Sequence, residues 1–120
     1  FGAITAFCAA AHRTPAALWL CSLSPYFSED LPSLRVSWLK AIGQRRTAAF
    51  TELKFDPLVA AINCPTVAFV GAKEIRNEPA TLRRAQAVIT RIPHSQLVVV
   101  PGAGHAVTDP RYVRAVTEQI

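Results

Sequence analysis

Residues 66–100 read "TVAFVGAKEIRNEPATLRRAQAVITRIPHSQLVVV". The two ends of this stretch, "TVAFVG" at 66–71 and "SQLVVV" at 95–100, are short runs of mostly apolar, β-branched residues, which are typical of strands. Between them, after a proline, apolar residues recur at helical spacing: Leu82, Ala85, Val88 and Ile92. The stretch therefore predicts a strand–helix–strand unit. Because such a crossover joins parallel neighbouring strands, the sequence predicts an α/β fold.

The residues before this unit extend the α/β pattern. Residues 16–22, "AALWLCS", are almost wholly apolar, as a strand covered on both faces would be. The Ala-rich residues 1–12 in front of them predict a helix. Residues 23–63 carry no strand signal and are predicted to hold about three short helices, a lid-like excursion within the domain. Apolar positions indicate the longest of these helices: Leu31, Leu34, Trp38 and Ile42.

A last helix is predicted after the second strand of the unit. Asp109 is a suitable N-cap residue and Pro110 suits the first helical position. We expect three residues of this helix to face inward: Val113, Val116 and Ile120. With helices on both sides of parallel strands, the predicted architecture is a three-layer α/β/α domain covering residues 1–120.

The composition is unusually apolar for a chain of this length. Hydrophobic residues make up 51% of the 120 residues and the mean hydropathy is +0.24. A small domain has too much surface to bury so many apolar side chains. Since no apolar stretch approaches the roughly 18 residues that span a bilayer, and the chain opens with Phe1 rather than Met, we expect it to be part of a larger protein that does not enter a membrane.

Charge and cysteine usage indicate a cytoplasmic protein that does not bind nucleic acid. The net charge is +5, but the basic residues are scattered and form no stripe with interleaved aromatic residues. The three cysteines, Cys8, Cys21 and Cys64, lie in apolar surroundings without metal-ligand spacing. We interpret them as reduced, inert thiols. No cofactor motif or metal cluster is visible.

A carboxylate and an imidazole follow the two strands of the unit. Glu74 comes three residues after Gly71, and His105 comes directly after the second strand in "PGAGH". Because parallel strands end at the same edge of a sheet, we expect these side chains to meet there. Gly102 and Gly104 are expected to allow the sharp turn that aims the ring over the sheet. A carboxylate that orients a histidine base is two-thirds of a nucleophilic triad.

The nucleophile of such a triad is missing from these residues. It belongs on a sharp strand-to-helix turn of the form G-x-S-x-G, followed by a helix rich in small residues. The chain begins "FGAITAFCAAA". A serine immediately before Phe1 would make Gly2 the last glycine of that turn. We therefore expect residues 1–120 alone to be inactive.

With these motifs, the chain resembles the carboxyl-terminal half of an α/β-hydrolase-fold protein, from the helix after the nucleophile to the last helix. The likeness is most specific in "CPTVAFVGAKE" and "IPHSQLVVVPGAGHAVTDP", which are similar to the acid-strand and histidine-loop segments of that family. The resemblance implies that His105 is the catalytic histidine and that Glu74 stands in the acid's place, where the family more often has Asp. It also implies a small-molecule substrate with an ester or similar acyl bond.

Several alternatives stay open at this point. Glu29 and Asp30 follow the strand at 16–22, another place where this fold can hold its acid. Tyr26 and Phe27, also just beyond that strand, are candidate substrate-binding residues. Ser22 and Ser24 lie at the right edge but lack the glycines of a nucleophile turn.

Two other functions compete with hydrolysis. One is a non-catalytic relative that keeps the fold and lacks the nucleophile. The other is nucleotide binding, since "VVVPGAGHAV" resembles a dinucleotide-binding turn. That pattern needs a glycine where Val107 stands.

Overall fold

The structure is a computed structural model that describes residues 2–23 and 53–119, together with Gly43 and Arg45. Five helices and three strands have both ends among residues 2–23 and 53–119, and Gly43 and Arg45 are also helical. In chain order they are α1 (Gly2–His12), β1 (Leu18–Cys21), α2 (Phe55–Ala60), β2 (Thr66–Gly71), α3 (Ala72–Asn77), α4 (Ala80–Ile89), β3 (Ser95–Val100) and α5 (Pro110–Thr117). The helices predicted within 31–53 fall almost entirely outside the described residues.

The three strands form one parallel sheet in the order β1-β2-β3. Leu20 pairs with Ala68, which pairs with Leu97 on the far side. The observed bounds of β2 and β3 are those predicted from the sequence, whereas β1 is shorter than the predicted 16–22. The predicted α/β class with parallel strands is confirmed.

Helices cover both faces of this sheet and make it the middle of three layers. On one face, buried side chains of α1, α2 and α4 form one core cluster with alternate residues of β1, with Phe7 and Phe55 in ring contact. On the other face, α5 lies against β2 and β3 through Tyr112, which contributes to a cluster with Phe69, Val100 and Ala103. Successive strand residues point to opposite faces, so each apolar strand serves both layers.

The inward face of α5 differs from the predicted one. Val113 is 57% exposed, whereas Tyr112 is 1% exposed, and Ala115 and Val116 pack beside it. Residues i, i+3 and i+4 share a helix face, so burying Tyr112 brings Ala115 and Val116 inward and turns Val113 to the outside. The prediction for Val113 was wrong, that for Val116 agrees with its partial burial, and Ile120 lies outside the described residues.

Asp109 begins α5 as predicted. Its carboxylate accepts a hydrogen bond from the backbone N–H of Arg111 at 2.9 Å, and Pro110 occupies the first helical turn. That N–H, followed by the charge of the Arg111 side chain, lowers the pKa of Asp109 from its ordinary value of 3.8. The cap fixes the start of the helix that carries Tyr112.

We expect this cap to make stability dependent on pH. A carboxyl group whose pKa is lowered by folding stabilises the folded state above its unfolded value and loses that contribution as the pH falls through its folded value. At neutral pH, wild type should therefore unfold at a higher temperature than Asp109→Asn. The difference between the two unfolding temperatures should shrink as the pH falls below 3.8. Asp109→Ala, which also removes the capping oxygen, should unfold at the lowest temperature at neutral pH. A constant difference between wild type and Asp109→Asn across this range would contradict the expectation.

Candidate active site

The site is built where β2 and β3 end side by side. After β2, the chain enters the short helix α3, whose first turn carries Glu74. After β3, a turn leads to His105. The Nδ1 atom of His105 lies 2.9 Å from Oε1 of Glu74. The structure thus brings together the two residues that the sequence singled out for the edge of the sheet.

The two members of the pair differ in their exposure to solvent. The Glu74 side chain is 11% exposed and the His105 side chain 79% exposed. Since a carboxylate only accepts hydrogen bonds, Nδ1 of the imidazole is the donor in this contact. In the neutral ring Nε2 then carries the lone pair, which leaves it to exchange a proton with a bound group.

The turn before His105 depends on its glycines unequally. Gly102 has φ of +70°, a left-handed conformation that favours glycine. Gly104 has no such φ, and a Cβ added there would meet nothing within 4 Å, so the expectation that both glycines are needed is corrected for Gly104.

Gly71, at the end of β2, is the more constrained glycine. A Cβ there would lie 2.5 Å from the carbonyl oxygen of Gly104 and 2.6 Å from that of Ala103. The backbone N–H of Lys73 donates to the same Ala103 oxygen at 2.9 Å. The segment that carries His105 is therefore packed directly on the start of α3, which carries Glu74.

Two residues that the sequence analysis did not assign to the site complete its hydrogen-bond network. The Ser22 hydroxyl lies 3.0 Å from Oε2 of Glu74 and 3.0 Å from the hydroxyl of Tyr112. Ser22 follows β1, so all three strands contribute to the network at one edge of the sheet. A polar residue directly after a strand end was the available signal for Ser22, whereas Tyr112 gave none.

A cavity of about 570 Å³ opens beside His105. One wall comes from the first turns of α1, at Gly2, Ala3 and Ala6, and another from Trp19 and from the residues that follow His105. The amino-terminal end of α1 and the imidazole therefore face the same space. The small residues of α1 leave that space open.

Most of the other site residues named from the sequence lie outside the described part of the chain: Ser24, Tyr26, Phe27, Glu29 and Asp30. Ser22 uses its hydroxyl in the network above, which agrees with its rejection as a nucleophile.

The two partly buried thiols are less acidic than free cysteine. Burial raises the pKa of Cys8, on α1, and of Cys21, at the end of β1. Because the thiolate is the reactive form, these values favour inert thiols.

Neither a membrane-spanning helix nor a metal-binding cluster occurs among the described residues. Within residues 2–23 and 53–119, no helix combines the length and apolar character needed to cross a membrane. The same part of the chain holds no cluster of three His, Cys, Asp or Glu side chains that could bind a metal ion.

Comparison with known proteins shows similarity in fold to a solved structure. No protein-family model matches the chain, and no curated protein matches it. The crystal structure of NosK from Streptomyces actuosus is similar to it, with a TM-score of 0.59 and 21% sequence identity. The match covers 98% of this chain but only 64% of the NosK chain. At this identity the similarity shows a shared fold.

Proposed function

We propose that this chain is the carboxyl-terminal part of an α/β-fold hydrolase that acts on a small molecule with an ester or similar acyl bond. His105 is the general base, Glu74 orients it, and the serine nucleophile lies upstream of Phe1. The Nδ1–Oε1 contact of 2.9 Å between His105 and Glu74 is the observation that carries the proposal. We call the longer chain that would contain the nucleophile the parent polypeptide.

The cavity beside His105 supports this assignment. In the proposed enzyme the nucleophile precedes α1, and Gly2 at the start of α1 lines the same cavity as the imidazole. A serine hydroxyl presented there would share the cavity with the imidazole, whose Nε2 carries the lone pair. The imidazole would accept the hydroxyl proton as the oxygen attacks the acyl carbon, and would return it to the leaving group.

The partly buried carboxylate supports a distinct role for Glu74. Through Oε1 it holds the tautomer with the proton on Nδ1 and favours the imidazolium that forms during attack. Its low exposure strengthens that interaction, because surrounding protein screens charge less than water does. The resemblance to the family, with acid before histidine along the chain, favours the same assignment.

The alternatives are less well supported by this geometry. The helix after β3 begins at Pro110, well beyond Gly104, whereas a dinucleotide site has its helix open directly at the glycines. A non-catalytic relative would keep the His105–Glu74 contact but lack a nucleophile before Phe1. With its reduced thiols the proposed enzyme belongs to the cytoplasm, and we propose no cofactor for it.

The acid assignment is tested by Glu74→Gln in the parent polypeptide. We expect kcat/KM for a p-nitrophenyl ester to fall roughly 10⁴-fold, since the amide no longer fixes the tautomer or stabilises imidazolium. Glu118→Gln, which changes an exposed carboxylate at the end of α5, should leave the rate within about twofold of wild type.

The two alternative candidates for the acid, Glu29 and Asp30, are tested in the same assay. Glu29→Gln and Asp30→Asn should have small effects if Glu74 is the acid. A severe loss in Asp30→Asn together with an unchanged rate in Glu74→Gln would show that the acid follows the first strand instead.

A further inference from the structure

The helix that carries Glu74 does not hold this side chain in place by itself. Helix α3 spans only Ala72–Asn77 and buries none of its residues. A glutamate also has one more rotatable bond than an aspartate, so more conformational freedom is lost when its carboxylate is fixed. A carboxylate that orients His105 from this helix therefore needs a partner on another element.

Ser22 supplies that partner from the end of β1. Its backbone N–H donates to the carbonyl oxygen of Phe69 on β2 at 2.8 Å, which ties Ser22 to the sheet. Its hydroxyl then reaches Oε2 of Glu74, the oxygen that His105 does not use. The two carboxylate oxygens thus have separate partners.

The backbone of Ser22 indicates that its hydroxyl matters. Its φ of +53° lies in the left-handed region, where a non-glycine residue is strained and glycine is not. A glycine would relieve this strain but would have no hydroxyl. The position therefore carries a conformational cost together with a contact that only a side chain makes.

Tyr112 orients the Ser22 hydroxyl. A carboxylate accepts hydrogen bonds, so Ser22 donates its single hydroxyl proton to Glu74. The hydrogen bond between Ser22 and Tyr112 must then have Tyr112 as its donor. Burial raises the pKa of Tyr112, so the phenol keeps its proton at neutral pH. Tyr112 therefore donates a hydrogen bond to Ser22, and Ser22 donates one to Glu74.

We propose that Ser22 and Tyr112 are positioning residues that hold the Glu74 carboxylate in the orientation that fixes the His105 tautomer. The network reaches from the buried face of α5 to an exposed imidazole through three hydrogen bonds. Its consequence for catalysis rests on the proposed function. Its effect on the imidazole does not, because the contact between Glu74 and His105 exists without a substrate.

The experiment uses Ser22→Gly and Tyr112→Phe in the parent polypeptide. Ser22→Gly removes the hydroxyl while suiting the left-handed backbone, and Tyr112→Phe removes one oxygen from a buried ring that stays in place. Thr117→Ala is the control, since it removes a hydroxyl of α5 that donates to the backbone oxygen of Val113, within the helix itself. With ¹⁵N-labelled histidine, the imidazole nitrogen shifts of His105 report its tautomer, with His105→Ala assigning the signals.

In wild type and in Thr117→Ala we expect the neutral ring to carry its proton on Nδ1. In Ser22→Gly, and to a smaller extent in Tyr112→Phe, the population should move toward the Nε2-protonated form that an imidazole in water prefers. The kcat for ester hydrolysis should fall roughly tenfold to a hundredfold in Ser22→Gly.

An unchanged tautomer in both variants would overturn the inference, whatever the activity. If the parent polypeptide hydrolyses no ester but the tautomer moves as described, the proposed function fails and the positioning role stands. The experiment therefore distinguishes failure of the positioning role from failure of the proposed function.

Discussion

His105→Ala in the parent polypeptide is expected to lower kcat roughly 10⁶-fold, close to the residual rate that binding alone supports. Without the imidazole, a serine hydroxyl keeps its proton and is a poor nucleophile. The leaving group also loses its proton donor. Glu74 cannot take over this role, because its side chain is 11% exposed and is not among the residues that line the cavity.

The measurement is the steady-state hydrolysis of a p-nitrophenyl ester, with His12→Ala as the control. His12 is an exposed histidine at the end of α1, so its replacement changes neither the fold nor the site. We expect His12→Ala to retain the wild-type rate within about twofold. Equal rates in His105→Ala and wild type would refute the assignment of His105 as the base.

A rescue experiment separates loss of the base from loss of structure. The His105 side chain is 79% exposed and lines the cavity of about 570 Å³. Its removal should leave space that free imidazole can enter from solvent. Added imidazole should therefore restore part of the activity of His105→Ala and leave His12→Ala unchanged. A non-catalytic relative would show no hydrolysis in any of these proteins.

Gly71→Ala is expected to cause the largest loss of stability, about 3 kcal/mol of unfolding free energy. The added Cβ would lie within 3 Å of three backbone atoms of Ala103 and Gly104. Backbone atoms cannot rotate away as a flexible side chain can, so β2 or the 103–104 segment must move. That movement would also separate His105 from Glu74, because the two residues follow these segments.

Urea unfolding of the parent polypeptide measures this effect, with Gly104→Ala as the matched control. Gly104 belongs to the same contact, but a Cβ there would meet open space without a left-handed φ. We expect Gly104→Ala to change the unfolding free energy by no more than about 0.5 kcal/mol. Equal destabilisation by both substitutions would show that the close approach of Gly71 to this segment has little energetic weight.

The strands were predictable because their signal is local. The bounds of β2 and β3 follow from short β-branched runs between turn residues, and parallel pairing follows from the helix between them. The same reasoning placed Glu74 and His105 at one edge of the sheet. Helix α3 was missed, since six residues with no buried side chain carry no apolar periodicity.

The spacing of apolar residues in α5 is compatible with either of two helix faces being buried. Val113 and Val116 share one helix face, while Tyr112, Ala115 and Val116 share another. Both sets are apolar enough to be inward. The fit of the Tyr112 ring against Phe69 and Val100 selects the second set, and that fit is a property of the packed sheet.

The amino-acid sequence by itself determined the α/β class, the parallel strands and the edge at which Glu74 and His105 meet. Only the tertiary structure decided that Ser22 and Tyr112 join them. Ser22 is 52 residues from Glu74 and 90 residues from Tyr112 along the chain. Secondary structure follows from contacts between near neighbours, whose spacing can be read in a sequence. A hydrogen bond between distant segments depends on where the packed sheet and helices place two side chains, to within a few tenths of an ångström.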